Sequence, residues 1–420
     1  MKPVGLIVEY NPLHSGHIFH LNKAKELSGA DITVAVMSGQ FVQRGEPSII
    51  SKEEKVKAAL KAGVDLIVEL PFIYAVENAD IFAQRAIEIL TKLGVRDFCF
   101  GSESGDTEEF IKKYEEKEFL APRLDEVLRI YLKQGYSYPA AKSKALYDIH
   151  EFYLETPNDI LGYAYLKAIE KHGYDITPHI YKRENNEGSF DLNSIYPSAK
   201  AIRNALKENK DVSSSTPIDF KNINIVDFED YFDLLKFKLN STSPNELNKI
   251  HLVDEGIEYL MTKKIKEAKS MKEFIDLCTS KRYSGARIKR TIIHILNNTL
   301  KEDAKEILTK PIEFIRVLGF NQNGANYLSL IRKDIEIPIL NRFAGKDYPL
   351  LKIDLKASDV YFSILKEPLR SNEQQKELYL FPIRYYILYF ITLMCYNYIK
   401  VRRDSNWNYL KLYHLIYLRF

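Results

Sequence analysis

The segment His14-Ser15-Gly16-His17, preceded by Asn11-Pro12, carries the residue types best suited to chemistry in this sequence. Two imidazoles flank a glycine directly after a short apolar run, Val4 to Val8. If that run is a strand and the histidines open a helix, the helix N-terminus supplies free N–H groups and partial positive charge. Gly16 has no Cβ, so a ligand can approach the backbone closely. His14 and His17 can donate to phosphate oxygens, where charge develops when an α-phosphorus is attacked. His20 falls one turn further along the same helix face. Surface histidines on a first helix would give the same letters, but the placement after an N-terminal strand favours a phosphate site.

Three further segments carry candidate groups. The stretch Ser38 to Pro47 contains two glycines, a proline and Arg44, whose planar fork suits a phosphate or a carboxylate. The competing reading is an exposed loop with an Arg44–Glu46 ion pair. Ser198-Ala199-Lys200-Ala201-Ile202-Arg203 opens a helix, and Ser198 and Lys200 could close over β- and γ-phosphates. The alternative there is an ordinary capped helix with a basic face. Lys281, Arg282, Arg287, Lys289 and Arg290 fall within ten residues without an acid, with Tyr283 among them, which suits a sugar-phosphate backbone. Lys400, Arg402 and Arg403 form a smaller cluster.

These groups need a scaffold. Strand candidates at Val4–Glu9, Asp31–Met37, Asp65–Glu69 and Asp97–Phe100 alternate with helix candidates at Gly16–Leu27, after the capping box Ser51 to Glu54, and at Ala79–Leu93. Strand–helix alternation with apolar strands predicts a parallel sheet covered on both faces, with ligands at the strands' C-terminal ends. Residues 107–172 read as helical, Ile176–Ile180 as a last strand, and Ser198 to Glu208 as a helix. The Ser-rich stretch from Asn209 to Pro217 reads as a linker. Helical periodicity dominates beyond it. The expected fold is α/β: a Rossmann-like parallel-sheet domain over 1–208, a linker over 209–224, and a mainly helical domain over 225–420.

Lys+Arg total 60 against 57 Asp+Glu, so net charge alone does not demand nucleic acid and local clusters must carry that argument. Cys99, Cys278 and Cys395 are far apart, and no Cys/His spacing suggests a disulfide framework or structural zinc, which fits a reducing cytoplasm. No basic region followed by a long apolar run opens the chain, so no signal peptide is expected. Tyr385 to Cys395 is the only span-like stretch, and it is far shorter than the roughly 20 residues a span needs, so no membrane association is expected.

Together these residues resemble one family, the bacterial tRNA(Met) cytidine acetate ligases of the H-x-G-H nucleotidyltransferase superfamily. The resemblance rests on Glu9 to His17, on S-G-Q-F-V-Q-R-G-E-P at Ser38–Pro47, on L-I-V-E-L-P at Leu66–Pro71 and on F-G-S-E at Phe100–Glu103. Thr156 to Gly162, the Lys281 segment and Arg316 to Phe320 extend it. It implies that acetate attacks the α-phosphate of ATP to give acetyl-adenylate and pyrophosphate. The wobble cytidine of elongator tRNA(Met) then takes the acetyl group on N4. It also implies ATP contacts at Ile7, Val8, Glu9, Tyr10, Asn11, Pro12, Leu13, His14, Ser15, Gly16, His17, Ile18, Phe19 and His20, and at Gly101, Asn158 and Arg183. One departure stands out: a family S-A-T-A-I-R pattern reads S-A-K-A-I-R here, with Lys200 where a hydroxyl is expected. No carboxylate cluster dedicated to a metal is evident, so Mg²⁺ is expected to travel with ATP.

Two rival enzymes share the H-x-G-H signature. Adenylyltransferases acting on small metabolites are usually shorter, and class I aminoacyl-tRNA synthetases carry a K-M-S-K-S-like segment that is absent here. A non-catalytic nucleotide- and RNA-binding scaffold is the third reading, against which the intact His14, Gly16 and His17 speak.

Overall fold

Runs of apolar residues without alternation dictate strands buried on both faces, and the computed structural model places five of them side by side. It describes residues 1–105, 107–118, 121–150, 156–183, 196–340 and 348–365. The strands are β1 (Pro3–Val8), β2 (Ile32–Ser38), β3 (Phe41–Val42), β4 (Glu46–Pro47), β5 (Leu66–Leu70), β6 (Asp97–Ser102), β7 (Thr177–Lys182), β8 (Ile315–Phe320) and β9 (Ile339–Leu340). The main sheet runs β7-β6-β1-β2-β5-β8-β9, while β3 and β4 form a small antiparallel hairpin. From β7 to β5 every pairing is parallel. The strand order reverses at β1, which lies between β2 and β6, and a crevice opens beyond the C-terminal ends at such a switch point.

The helices of the first half are α1 (Ser15–Ser28), α2 (Lys52–Lys61), α3 (Phe72–Ala75), α4 (Ala79–Lys92), α5 (Thr107–Glu118), α6 (Ala121–Lys133), α7 (Tyr138–His150), α8 (Pro157–His172) and α9 (Ala199–Lys207). Local chemistry sets their ends. Ser51, Asn78, Thr156 and Ser198 each cap a helix with a side-chain oxygen, and Gly29 and Gly173 close α1 and α8. The second half contributes α10 (Phe232–Ser241), α11 (Pro244–Leu247), α12 (Ile257–Lys264), α13 (Met271–Cys278), α14 (Gly285–Asn297), α15 (Lys301–Thr309), α16 (Gln322–Ile331) and α17 (Pro349–Phe362).

The mainly helical part beyond residue 217 also contributes strands that the sequence reading did not place. β8 joins the sheet antiparallel to β5, with Leu66 opposite Phe320, and β9 follows it. Arg316 hides this strand in the sequence. Its charge interrupts the apolar run, and it is tolerated because Glu69 receives its guanidinium at 2.6 Å in the buried interior. The sheet is therefore shared by residues on both sides of the expected linker.

Two large apolar cores result among the described residues. One joins the sheet to α4 and α8. The other is built from α10, α12, α13, α14 and α17, and it takes in Phe41 of the hairpin and Phe72 and Val76 around α3. Phe41 is thus an anchor that fixes the hairpin to the helical part; burying such a ring contributes roughly 1.5–3 kcal/mol. No described helix is long and apolar enough to cross a membrane. Tyr385–Cys395, the Lys400–Arg403 cluster and Cys395 lie outside the described residues.

Candidate active site

The loop after β1 delivers both imidazoles to the N-terminus of α1. His14 is the N-cap residue, in an extended conformation, and its Nδ1 accepts from the Gly16 N–H at 3.1 Å. His17, one turn on, accepts the His14 N–H through Nδ1 at 3.2 Å. The pair forms a reciprocal capping box in which imidazoles replace the usual hydroxyl and carboxylate. The ring centroids are 3.8 Å apart, and Tyr10 meets His17 edge-on at 5.0 Å. Gly16 lets the box close tightly, since a Cβ there would lie 3.0 Å from the His14 ring and would push it aside.

This geometry fixes the chemistry of the two rings. Burial, reinforced by Arg183 and Arg203, brings His14 down to about 4. Burial, with His14, Arg183 and His20 adding to it, holds His17 well below the usual range, and burial beside Arg183 brings His20 to about 4. All three are therefore neutral near pH 7. With Nδ1 accepting, a neutral ring carries its proton on Nε2, so His14 and His17 each offer one Nε2–H donor. The buried Ser15 Oγ and His20 Nδ1 have no hydrogen-bond partner within the protein. Unsatisfied polar atoms at a helix N-terminus are groups that a bound ligand can satisfy.

The opposite wall is built around Glu103, just past β6. Its carboxylate accepts from Thr156 Oγ1 at 2.9 Å and from Asn158 Nδ2, and lies 3.3 Å from Arg183 Nε. Three segments thus converge on one anion: the β6 end, the α8 N-terminus and the β7 end. Gly101 stands beside them, and a Cβ there would come within 2.8 Å of Arg183 and Tyr181 side-chain atoms. The expected residues Gly101, Asn158 and Arg183 are therefore brought together, by a carboxylate to which sequence reasoning gave no role. The available signal was an acid in a polar loop at the ligand end of a strand.

A buried lysine ties the strand ends. Lys55 Nζ donates to the carbonyls of Glu9, Ser38 and Gly39 at 2.9, 2.7 and 2.8 Å, and burial depresses its pKa. Glu9 accepts from the Gln43 N–H, and burial raises its carboxyl above the usual range. Arg44, at the hairpin tip, is exposed and lies in the field of Glu9, Glu46 and Arg203. Arg203 of α9 reaches back to donate to Asn11 O at 2.7 Å. Ser198 spends its oxygen on the Ala201 N–H, and Lys200 is exposed beside it. The Ser-rich segment packs behind the loop: Ser215 O accepts from the Ser15 N–H at 3.1 Å, and Thr216 Oγ1 donates to Leu13 O at 2.6 Å.

The five clustered cations divide into two groups. Lys281 and Arg282 are exposed before α14, with Lys281 Nζ over the Tyr136 ring. Arg282 and Arg287 share Glu255, at 3.7 and 3.1 Å, and both lie over Tyr283. Lys289 and Arg290 instead hold the hairpin: Lys289 pairs with Glu46, and the buried Arg290 donates to Gln43 O at 3.4 Å. Gly45 has φ +75°, and a Cβ there would collide with the backbone nitrogen of Arg290, so the hairpin rests directly on the α14 backbone.

Comparison with known proteins matches this architecture. Residues 1–377 match the family model described as HIGH Nucleotidyl Transferase. The chain is 38% identical over 407 residues to the tRNA(Met) cytidine acetate ligase of Bacillus licheniformis, covering 92% of this chain and 98% of that protein. It is 39% identical to the tRNA(Met) cytidine acetate ligase of Listeria monocytogenes, covering 87% of this chain and 96% of that protein. Two crystal structures of Thermotoga maritima TmcAL superpose with 32% identity, covering 88% of this chain and 96% of theirs. The apo form gives a TM-score of 0.80, and the form bound with alpha-thio ATP gives 0.79.

Proposed function

The chain belongs to the tRNA(Met) cytidine acetate ligases, a family of ATP-dependent H-x-G-H nucleotidyltransferases, and from its own residues we propose how it carries out the reaction. An acetate oxygen attacks the α-phosphorus of ATP and pyrophosphate leaves, forming acetyl-adenylate. The N4 amine of the wobble cytidine of elongator tRNA(Met) then attacks the acetyl carbon. AMP leaves, N4 loses a proton, and N4-acetylcytidine results.

The observation that carries this reading is the neutral imidazole pair at the N-terminus of α1, beside the switch point at β1. Its two Nε2–H donors and the helix dipole suit the charge that develops on the α-phosphate oxygens. Neutral rings suit an anion site already flanked by Arg183 and Arg203, because they add donors without adding repulsion. The loop from Ile7 to His20, with Gly101, Asn158 and Arg183, cradles the nucleotide. Ser198 and Lys200 approach the β- and γ-phosphates, with the ammonium of Lys200 taking the place of a hydroxyl contact. Arg44 orients acetate or covers the nascent adenylate, its planar fork suiting a small carboxylate. Mg²⁺ arrives with ATP, since Glu9 and Glu103 are already committed to Gln43 and to Thr156, Asn158 and Arg183.

Residues 1–208 carry adenylation and residues 225–420 the tRNA contact, with 209–224 between them. This division is one of function, because β8 and β9 share the sheet. Lys281, Arg282 and Arg287 are the cations on an accessible face, while Lys289 and Arg290 support the site through the hairpin. A cytoplasmic enzyme meets tRNA, ATP and acetate together. Pyrophosphate release from ATP with and without acetate, in the absence of tRNA, tests the first step. Acetate-dependent release supports it, and equal release in both conditions removes acetate as the acceptor.

A further inference from the structure

Three residues that no motif singles out meet where the sheet and the helical part join. Glu77 follows α3, His251 follows α11, and His294 lies in α14. One potential ligand atom from each lies within 4.8 Å of the others. Glu77 and His294 are buried, at 1% and 0% exposure, while His251 is half-buried. Glu77 Oε1 and His251 Nε2 are hydrogen-bonded, and the two imidazoles stand perpendicular, with centroids 4.9 Å apart.

The decisive detail is His294. Its Nε2 lies 3.0 Å from Val76 O. A carbonyl can only accept, so Nε2 carries the proton and Nδ1 keeps a bare lone pair. That Nδ1 is buried and has no hydrogen-bond partner. An imidazole pinned through one N–H to a backbone carbonyl, with its other nitrogen free, is oriented and polarised as metal-ligating histidines are. Glu77 is held in the same way: its Oε2 accepts from Asn78 N at 3.0 Å and Asn78 Nδ2 at 3.3 Å, leaving Oε1 toward His251.

We propose that Glu77, His251 and His294 bind one zinc ion through a carboxylate oxygen and two imidazole nitrogens, the ion displacing to solvent the proton now shared between Glu77 Oε1 and His251 Nε2. Two imidazoles and a carboxylate suit zinc and exclude the all-oxygen preference of Mg²⁺ and Ca²⁺. Water completes the coordination from the side of His251, which also gives the ion its entry path. Glu77 and His251 stand 174 positions apart, so the absence of any local Cys/His spacing in the sequence says nothing about this site. The ion acts as a staple. It ties the end of α3, the segment after α11 and α14 beneath the hairpin, whose Gln43 Nε2 donates to Glu77 O at 3.1 Å. Arg290, about one turn before His294, holds the same Gln43 through its carbonyl.

The test uses full-length, tag-free protein purified without chelator. Elemental analysis finds close to one zinc per chain. After chelator treatment the melting temperature falls by several degrees and zinc chloride restores it. Cobalt(II) in place of zinc gives the visible absorption of a low-coordinate nitrogen–oxygen site. Glu77→Gln and His251→Ala melt cooperatively in chelator like the stripped wild type. They bind zinc more weakly by over about 100-fold, beyond the effect of losing an outer-shell partner. The proposal is overturned if wild-type protein holds no zinc, gains no stability from it and gives no cobalt absorption. Zinc binding by both variants as tight as wild type overturns it equally, and the three groups are then an internal hydrogen-bond network.

Discussion

Replacing His17 by alanine removes two interactions at once, and the structure allows them to be separated. One is the capping bond from the His14 N–H to His17 Nδ1, at 3.2 Å. The other is the Nε2–H that faces the nucleotide in the proposed transition state. Losing a cap costs about 1 kcal/mol of stability. Losing one preorganised donor at a developing oxyanion costs about 10²–10³ in rate, or roughly 2.7–4 kcal/mol of transition-state energy. Glutamine at the same position keeps the first interaction, since Glu or Gln is the usual partner at that site of a capping box, but cannot place a donor where Nε2 stands. His17→Ala is therefore expected to lose both rate and stability, and His17→Gln to lose rate alone. Acetyl-adenylate formation under saturating ATP reads the rate, ATP affinity reads ground-state binding, and chemical denaturation reads the cap. ATP affinity should fall less than turnover. Near-normal acetyl-adenylate formation by His17→Ala would refute the role given to this imidazole, whatever happened to stability.

Further expectations follow from the same geometry. Arg44→Lys keeps the charge and loses the planar fork, so activity at subsaturating acetate should fall strongly with an unchanged melting curve; full activity would reduce the hairpin tip to a structural feature. His14 and His20 titrate near 4 in the folded chain and near 6.5 when unfolded, so between these values the unfolded chain binds more protons. Stability should then be complete above about pH 6.5 and decline as pH falls toward 4, by on the order of 1–3 kcal/mol per ring; denaturation midpoints of His20→Gln across this window should show a flatter decline, and an identical slope would contradict the assignment. Replacing Lys281, Arg282 and Arg287 by alanine should flatten the dependence of log tRNA affinity on log salt by roughly 0.7–0.9 for each phosphate no longer neutralised, and leave acetate adenylation intact; an unchanged slope removes this face from the RNA site. Gly45→Ala, by contrast, should impair adenylation and stability together, because its Cβ would strike the α14 backbone.

The ligand end of the sheet is legible in the sequence because each step there is local. An apolar run, a cap and a glycine lie within a few residues of one another, as over residues 4–16, and the observed β1 and α1 fall within one or two residues of the predicted bounds. What escapes is whatever depends on a distant partner. β8 is masked by Arg316, whose buried charge is tolerable only because Glu69 is opposite it. The basic run at Lys281 reads as one uniform patch. Its division arises because Glu46 and Gln43, far away in sequence, claim Lys289 and Arg290. Glu103 lies inside a recognised motif, yet its role is visible only once α8 and β7 bring Thr156, Asn158 and Arg183 to it.

The proposed reaction joins acetate to a tRNA cytidine through an adenylate. It is tested most directly by incubating the purified enzyme with ATP, ¹³C-labelled acetate and elongator tRNA(Met), then digesting the tRNA with a base-specific ribonuclease and sequencing the anticodon oligonucleotide by mass spectrometry. Labelled N4-acetylcytidine is expected at the wobble position, formed only when ATP and acetate are both present and at a rate lower by about 10²–10³ in His17→Ala. Unmodified cytidine after ATP has been consumed, or acetylation that proceeds without ATP, would contradict it.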